Sequence, residues 1–192
     1  MTLRALMLAP PGAGKGTQGT RLAEHYGVPH LATGDLLRQH VADGTEVGTA
    51  ASAYMERGDL VPDDLVLQLV ATAIGGPEPL AGFVLDGFPR TLQQAEAAFR
   101  WGKDRDRTFH AVVTLRVEAE ELVRRLRERG RLGGRTDDND VTIRARLDVY
   151  ERQSQPLLAF YEDRGILVRV DGTGEVDDVF ARLLTAIAPF VD

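Results

Sequence analysis

Two rhythms of apolar residues alternate along the chain. Short runs dominated by apolar residues occupy residues 3–8 (LRALML), 82–86 (GFVLD), 109–117 (FHAVVTLRV) and 166–170 (ILVRV), with a weaker one at 28–33 (VPHLAT). Such runs, bounded by turn residues, predict buried strands. The stretches between them space their apolar residues three or four apart, which predicts helices with one buried face. Helices are expected over 16–27, 33–44, 50–58, about 62–74, 91–101, 118–130, 141–165 and 177–190. Leu22, Ala23 and Tyr26 mark the inner face of the first, Leu37 and Val41 that of the second, and Ile143, Leu147 and Tyr150 that of the long one. Asp63 and Asp64 follow Pro62 and suit the positive end of a helix. Gly27 and Gly130 are stop signals. Pro156, inside the long helical stretch, is expected to kink or restart it.

Strands alternating with helices imply a parallel sheet covered on both faces. Two segments break the alternation: the helical pair at about 33–61, and the polar loop RLGGRTDDND at 131–140. Insertions of this kind often serve as lids. The expected organisation is therefore a single domain. Residues 1–32, 62–130 and 141–192 form its core, 33–61 an insert and 131–140 a short lid.

Composition narrows the function classes. A length of 192 residues supports one full hydrophobic core. A net charge of −6 argues against a sequence-independent grip on nucleic acid. An aromatic content of 6% leaves little platform for stacking bases. The chain has no cysteine, which excludes disulfides and thiolate metal sites. The apolar run at 3–9 stops at Pro10-Pro11, too soon for a membrane span or a convincing signal peptide. A cytoplasmic protein without membrane contact is the expectation.

Chemistry enters at the first strand–helix junction, LMLAPPGAGKGTQG at 6–19. Only two lysines occur, Lys15 and Lys103, and Lys15 lies inside this loop. Glycines let successive N–H groups curl around an anion, the next helix adds its positive end, and the lysine supplies a full charge. The general phosphate-loop pattern is G-x-x-x-x-G-K-[ST]. Here Ala9 replaces its first glycine, and Gly16 precedes Thr17 where Ser or Thr is usual. A tightly packed glycine turn is the plainer alternative, but it leaves Lys15 without a purpose.

Six ordered segments extend the pattern: PGAGKGTQ, HLATGDLLR (30–38), GDLVPDDL (58–65), LDGFPRTLQQAE (85–96), LRERGRLGGRTDDND (126–140) and IRARLDVYERQSQPLLAFY (143–161). Together they resemble the nucleoside monophosphate kinases, the adenylate kinases most closely, over essentially the whole chain. That family writes its loop G-x-P-G-x-G-K-G-T, so Gly16-Thr17 conforms and Ala9 remains a departure. The resemblance implies a P-loop fold: a five-stranded parallel sheet flanked by helices, with an insert for the acceptor nucleotide and a short lid. It implies reversible, Mg2+-dependent phosphoryl transfer from ATP to AMP giving two ADP, by a monomer. A UMP/CMP kinase of the same fold and a non-catalytic nucleotide-binding module are the alternatives. Thr33 and Gln94 favour AMP over the pyrimidine acceptors.

Residue by residue, the resemblance places Gly12, Ala13, Gly14, Lys15, Gly16 and Thr17 around the donor phosphates. Thr17 and Asp86 lie near Mg2+, Asp86 holding it through water. Thr33, Gly34, Arg38, Asp59, Leu60, Val61, Gly87, Phe88, Arg90 and Gln94 take the acceptor, with Arg90 on its phosphate and Gln94 on the adenine edge. Arg125, Arg129, Arg135 and Arg146 complete an arginine set closing on the phosphates. Gly174, in DGTG at 171–174, lies beside the donor base, where some relatives carry lysine. Phe88-Pro89 is expected to be cis. No structural zinc is expected in so short a lid. Plainer readings stay open for single residues: Asp86 as a turn residue, Arg38 and Gln94 as solvated helix residues, and Arg125 as the partner of Glu121 four positions earlier. The four histidines, His25, His30, His40 and His110, lack ligand spacing and are expected to be structural.

Overall fold

A computed structural model of the protein describes residues 2–57, 61–76, 79–132 and 140–191. The five apolar runs form β1 (Arg4–Met7), β2 (His30–Ala32), β3 (Phe83–Asp86), β4 (Ala111–Arg116) and β5 (Leu167–Asp171). They make one parallel sheet in the order β2-β3-β1-β4-β5. The helices among the described residues are α1 (Lys15–Tyr26), α2 (Thr33–Ala42), α3 (Glu46–Arg57), α4 (Asp63–Gly75), α5 (Leu92–Lys103), α6 (Ala119–Arg131), α7 (Asp140–Glu162) and α8 (Val176–Ile187), with a 3-10 turn at Ala188–Phe190.

Side-chain alternation divides each strand between two cores. From the first strand, Leu3, Ala5 and Met7 join Val84, Val113 and the buried faces of α1, α6 and α8. Leu6 and Leu8 face the other way, joining Phe83, Leu85 and Val112 beneath α4, α5 and α7. α6 shows how little apolar surface a helix needs here. Leu122 and Leu126, four apart, are its buried residues, and most of the others are charged.

β1 is the central strand, with β3 on one side and β4 on the other. Its register sets Met7 opposite Asp86. In such sheets ligands bind beyond the carboxyl ends of the strands where the order reverses. The glycine loop after β1 and the Asp86-Gly87 corner after β3 occupy that position.

Three local expectations change. α3 begins at Glu46, not at 50. Val41 is 37% exposed although Leu37, four residues earlier, is buried. α7 runs through Pro156 without restarting. Pro156 and Arg152 both lie on the exposed side of the helix, where water can take the carbonyl that proline leaves unbonded.

Candidate functional site

The glycine loop is built for backbone recognition. Gly14, at φ 89°, is the N-cap of α1, and as a glycine it offers no side chain to the first-turn N–H groups. A Cβ on Gly14 would meet nothing within 4 Å, so the cradle is open. Gly12, at φ 85°, packs the loop beneath α6: a Cβ there would lie 2.9 Å from the Leu122 carbonyl oxygen. Ala13 turns its methyl into the core, 2% exposed. Ala9 is buried and is not among the positive-φ residues; among the described residues Asp106 is the non-glycine residue that is. The departure at position 9 therefore carries no backbone strain, and the expectation of negative φ holds.

A cavity of about 320 Å³ opens in front of this loop. Its lining brings together Lys15, Gly16, Thr33, Gly34, Arg38 and Val61 with Asp86, Gly87, Arg90, Gln94 and Arg146. These residues come from the glycine loop, the 33–61 segment, the end of β3, α5 and α7, and only the fold joins them. Asp86 is 7% exposed and stands 3.7 Å from Lys15 Nζ, so it is more than a turn residue. Its Oδ1 is buried without a hydrogen bond. A buried carboxylate oxygen with no hydrogen bond, beside Lys15 and an open phosphate cradle, suits a hydrated Mg2+, which usually takes one or two carboxylates and leaves its remaining positions to water and phosphate. The described residues contain no cluster of three metal-ligating side chains that would hold a cation by themselves. Thr17 lies exposed in the first turn of α1, within the same loop.

The corner after β3 is tied to both sides of the cavity. Thr33 Oγ1 donates to the Asp86 carbonyl at 3.0 Å. Arg90 Nε donates to the Gly87 carbonyl at 2.8 Å. Gly87 has φ 88°, and a Cβ there would come 2.5 Å from Thr33 Oγ1. The Phe88-Pro89 bond is cis, as expected. Phe88 is 1% exposed and packs in the second core, so only its backbone can face a ligand. Gln94, 4% exposed, is not a solvated helix residue. Its Oε1 accepts from Arg90 N–H at 2.6 Å and its Nε2 donates to Asp63 Oδ1 at 2.5 Å. Arg38 pairs with Asp35 and still lines the cavity.

Other sequence candidates lie apart from the cavity. Arg125 Nε donates to Glu121 Oε1 at 2.7 Å, which is the plainer pairing. Its NH1 also reaches the Gly172 carbonyl at 3.2 Å, so it does border the loop after β5. Hydrogen bonds from Arg124 and then Arg125 hold the Glu121 carboxyl at about 2. Arg129 is half-buried on α6 and is not in the lining of this cavity. Gly174 has φ 95° beside the Arg182 guanidinium and also lies outside the cavity. Asp59, Leu60 and Arg135, with the lid positions 133–139, fall outside the described residues.

Sequence reasoning missed two participants. His30 lines the cavity, its Nδ1 3.1 Å from Thr20 Oγ1 and its Nε2 buried without a partner. Nothing local marks it among the scattered histidines. Asp63 reads as a helix-start carboxylate, yet it also anchors Gln94 across 31 residues.

Comparison with known proteins agrees with this geometry. The family profile for adenylate kinase matches residues 7–166. An adenylate kinase of Thermus thermophilus is 51% identical over 183 residues, covering 95% of each chain. One from Thermobifida fusca is 46% identical, covering 96% of this chain and 98% of its own. One from Mycobacterium ulcerans is 45% identical, covering 96% and 99%.

Proposed function

The chain belongs to the adenylate kinase family and is a phosphotransferase, and we propose that the cleft beyond β1 and β3 carries its reaction, ATP plus AMP giving two ADP. One observation supports this placement above the rest. Lys15, Asp86, Arg90 and Arg146, from four separate segments, line one cavity that also holds the Gln94 amide.

In this reading the N–H groups of Gly12 to Thr17, with Lys15, hold the donor phosphates. Thr33, Gly34, Arg38, Val61, Gly87 and Arg90 hold AMP, and the Gln94 amide pairs with the adenine edge through the donor and lone pair left after its protein contacts. Asp59 and Leu60 join them on the acceptor side. Thr17 and Asp86 would hold Mg2+, which would supply positive charge to the ATP phosphates. An AMP phosphate oxygen attacks the γ-phosphorus. A P–O bond forms, the bond to the β-phosphate oxygen breaks, and ADP departs with the electron pair. No proton need move. The work left to the protein is alignment and charge. Lys15, Arg90 and Arg146, with Arg125, Arg129 and Arg135 on the donor side and lid, neutralise the oxygens on which charge spreads. Gly174 and its loop receive the donor base. Residues 33–61 and 131–140 close over the nucleotides and exclude water, without which ATP would be hydrolysed.

A monomeric state is part of the same reading, and a cytoplasmic location would put the protein among its nucleotides. Light scattering and cell fractionation check these two points. The central test is ADP formation from ATP with AMP, UMP, CMP or GMP. AMP is the preferred acceptor, and Lys15→Ala lowers kcat by about 10³-fold, the scale of a lost transition-state cation. Preference for a pyrimidine acceptor, or equal rates for wild type and Lys15→Ala, would contradict the reading.

A further inference from the structure

Gln18 closes the segment PGAGKGTQ and has no part in the reaction as read above. It directly follows Thr17, and its N–H donates to the Gly14 carbonyl at 3.0 Å, so it stands one turn into α1 from the cap of the cradle. Its side chain is buried, with the residue 3% exposed. Nε2 donates to the Val176 carbonyl at 2.9 Å, across 158 residues. Val176 is the first residue of α8, two positions after Gly174. That bond fixes which end of the amide is which. Nε2 takes the carbonyl, and Oε1 is left buried without a hydrogen bond among the described residues. An apolar side chain of the same length would fill this place without an unsatisfied oxygen. Stability alone therefore does not call for glutamine here, and such local costs gather at functional sites.

The loop that Gln18 reaches is stiff. Asp171 Oδ1 accepts from the Thr173 N–H at 3.0 Å and from the Thr173 hydroxyl at 2.7 Å. Arg182 donates to the Thr173 carbonyl and pairs with the Asp171 carboxylate at 2.9 Å. A loop braced in this way shifts as a unit, so its ties to neighbouring elements decide where it stands. Gln18 and Arg21 both tie α1 to the start of α8. Arg21 pairs with Asp177 at 2.7 Å, but Asp177 is 89% exposed and water screens the pair. The Gln18 bond is shielded, and it begins one residue beyond the cradle.

We propose that Gln18 is a positioning residue for the donor nucleotide: its amide fixes the spacing between the loop that holds the donor phosphates and the loop that receives the donor base. The inference rests on the kinase reading of those two loops. ATP reaches from one to the other through a single ribose. A shift of the base loop therefore costs the adenine its contacts while the phosphates keep theirs.

The test compares full-length wild type, Gln18→Met and Arg21→Ala. Methionine keeps the length and bulk of the side chain and removes the donor. Thermal melting is measured, with steady-state rates for ATP and AMP and calorimetric binding of ATP and of inorganic triphosphate, each with Mg2+. In Gln18→Met, ATP is expected to bind about tenfold more weakly, the scale of one lost hydrogen bond, with triphosphate binding unchanged. KM for ATP rises in parallel, while KM for AMP and kcat hold. Arg21→Ala, which breaks the exposed pair between the same two helices, matches the wild type in both affinities. The ratio of ATP to triphosphate affinity compares two ligands on the same folded molecules, so a lower melting temperature does not blur it. A wild-type ratio in Gln18→Met would overturn the proposal. So would an equal loss of ATP and triphosphate, which would assign Gln18 to the shape of the cradle itself. An Arg21→Ala ratio that falls as far would also overturn it, assigning the effect to the general packing of α1 on α8. A wild type that fails to turn over ATP and AMP would count against the kinase reading, while the affinity ratio judges Gln18 separately.

Discussion

Asp63 holds Gln94 in one orientation. Nε2 donates to the Asp63 carboxylate at 2.5 Å while Oε1 accepts the Arg90 N–H at 2.6 Å, so the two ends of the amide cannot be exchanged without breaking both bonds. One amide N–H and one lone pair remain for a purine edge. Asp63→Ala frees the amide to rotate and leaves a buried donor unpaired, at a cost of about 1–3 kcal/mol. We expect KM for AMP to rise about tenfold with kcat little changed, the mark of lost uniform binding. Initial rates at varied AMP check this, and an unchanged KM would show that Gln94 needs no anchor.

Gly87 tolerates no side chain. Its φ of 88° strains any L-residue, and a methyl would meet Thr33 Oγ1 at 2.5 Å. Gly87→Ala breaks the Thr33–Asp86 hydrogen bond as well as straining the corner. Stability is expected to fall by about 2 kcal/mol or more, from the left-handed backbone and the lost bond together. Denaturant unfolding of Gly87→Ala beside Thr33→Ala measures the two parts. A Gly87→Ala protein as stable as wild type would contradict the geometry.

Glu121 ties stability to pH. Its folded carboxyl sits at about 2, below the ordinary 4.5, through hydrogen bonds from Arg124 and then Arg125. A depressed folded value stabilises the folded state above about pH 4.5, and the contribution is lost as pH falls from there toward 2. Glu121 and its two arginine partners lie partly open to solvent on the surface of α6, so the effect is small. Glu121→Gln should melt slightly below wild type at neutral pH, with the gap closing between pH 4.5 and 2. A gap that does not change with pH would assign the effect to packing.

Ala9→Gly restores the glycine that the loop pattern favours. Ala9 is buried without positive φ, so the substitution adds unfolded-state freedom and removes a packed methyl. We expect about 1 kcal/mol less stability and an unchanged kcat. A large gain in kcat would show that the methyl obstructs the phosphates.

The strands, the helix faces and the glycine loop were legible in the sequence because each is a local pattern of burial or backbone need. Leu122 and Leu126, or Lys15 after Gly14, announce themselves within one turn. The early start of α3 was not legible, because Gly48 reads as a turn. Its Cα instead abuts the α2 backbone at His40, where a side chain would overlap the chain. The Asp63–Gln94 contact and the place of His30 depend on segments far apart in sequence, and no spacing rule reaches them. Arg125 shows the converse. Its pairing with Glu121 was visible four residues away, but its contact with the Gly172 carbonyl across 47 residues was not.

The end of β3 serves both halves of the cleft. The Asp86 carboxylate faces Lys15, its carbonyl receives Thr33, and the next carbonyl, that of Gly87, receives Arg90. Two substrates measured from one fixed mark inherit the same displacement whenever that mark moves. In the proposed reaction, a shift of this corner would carry the donor and acceptor sites together, because both are bonded to it.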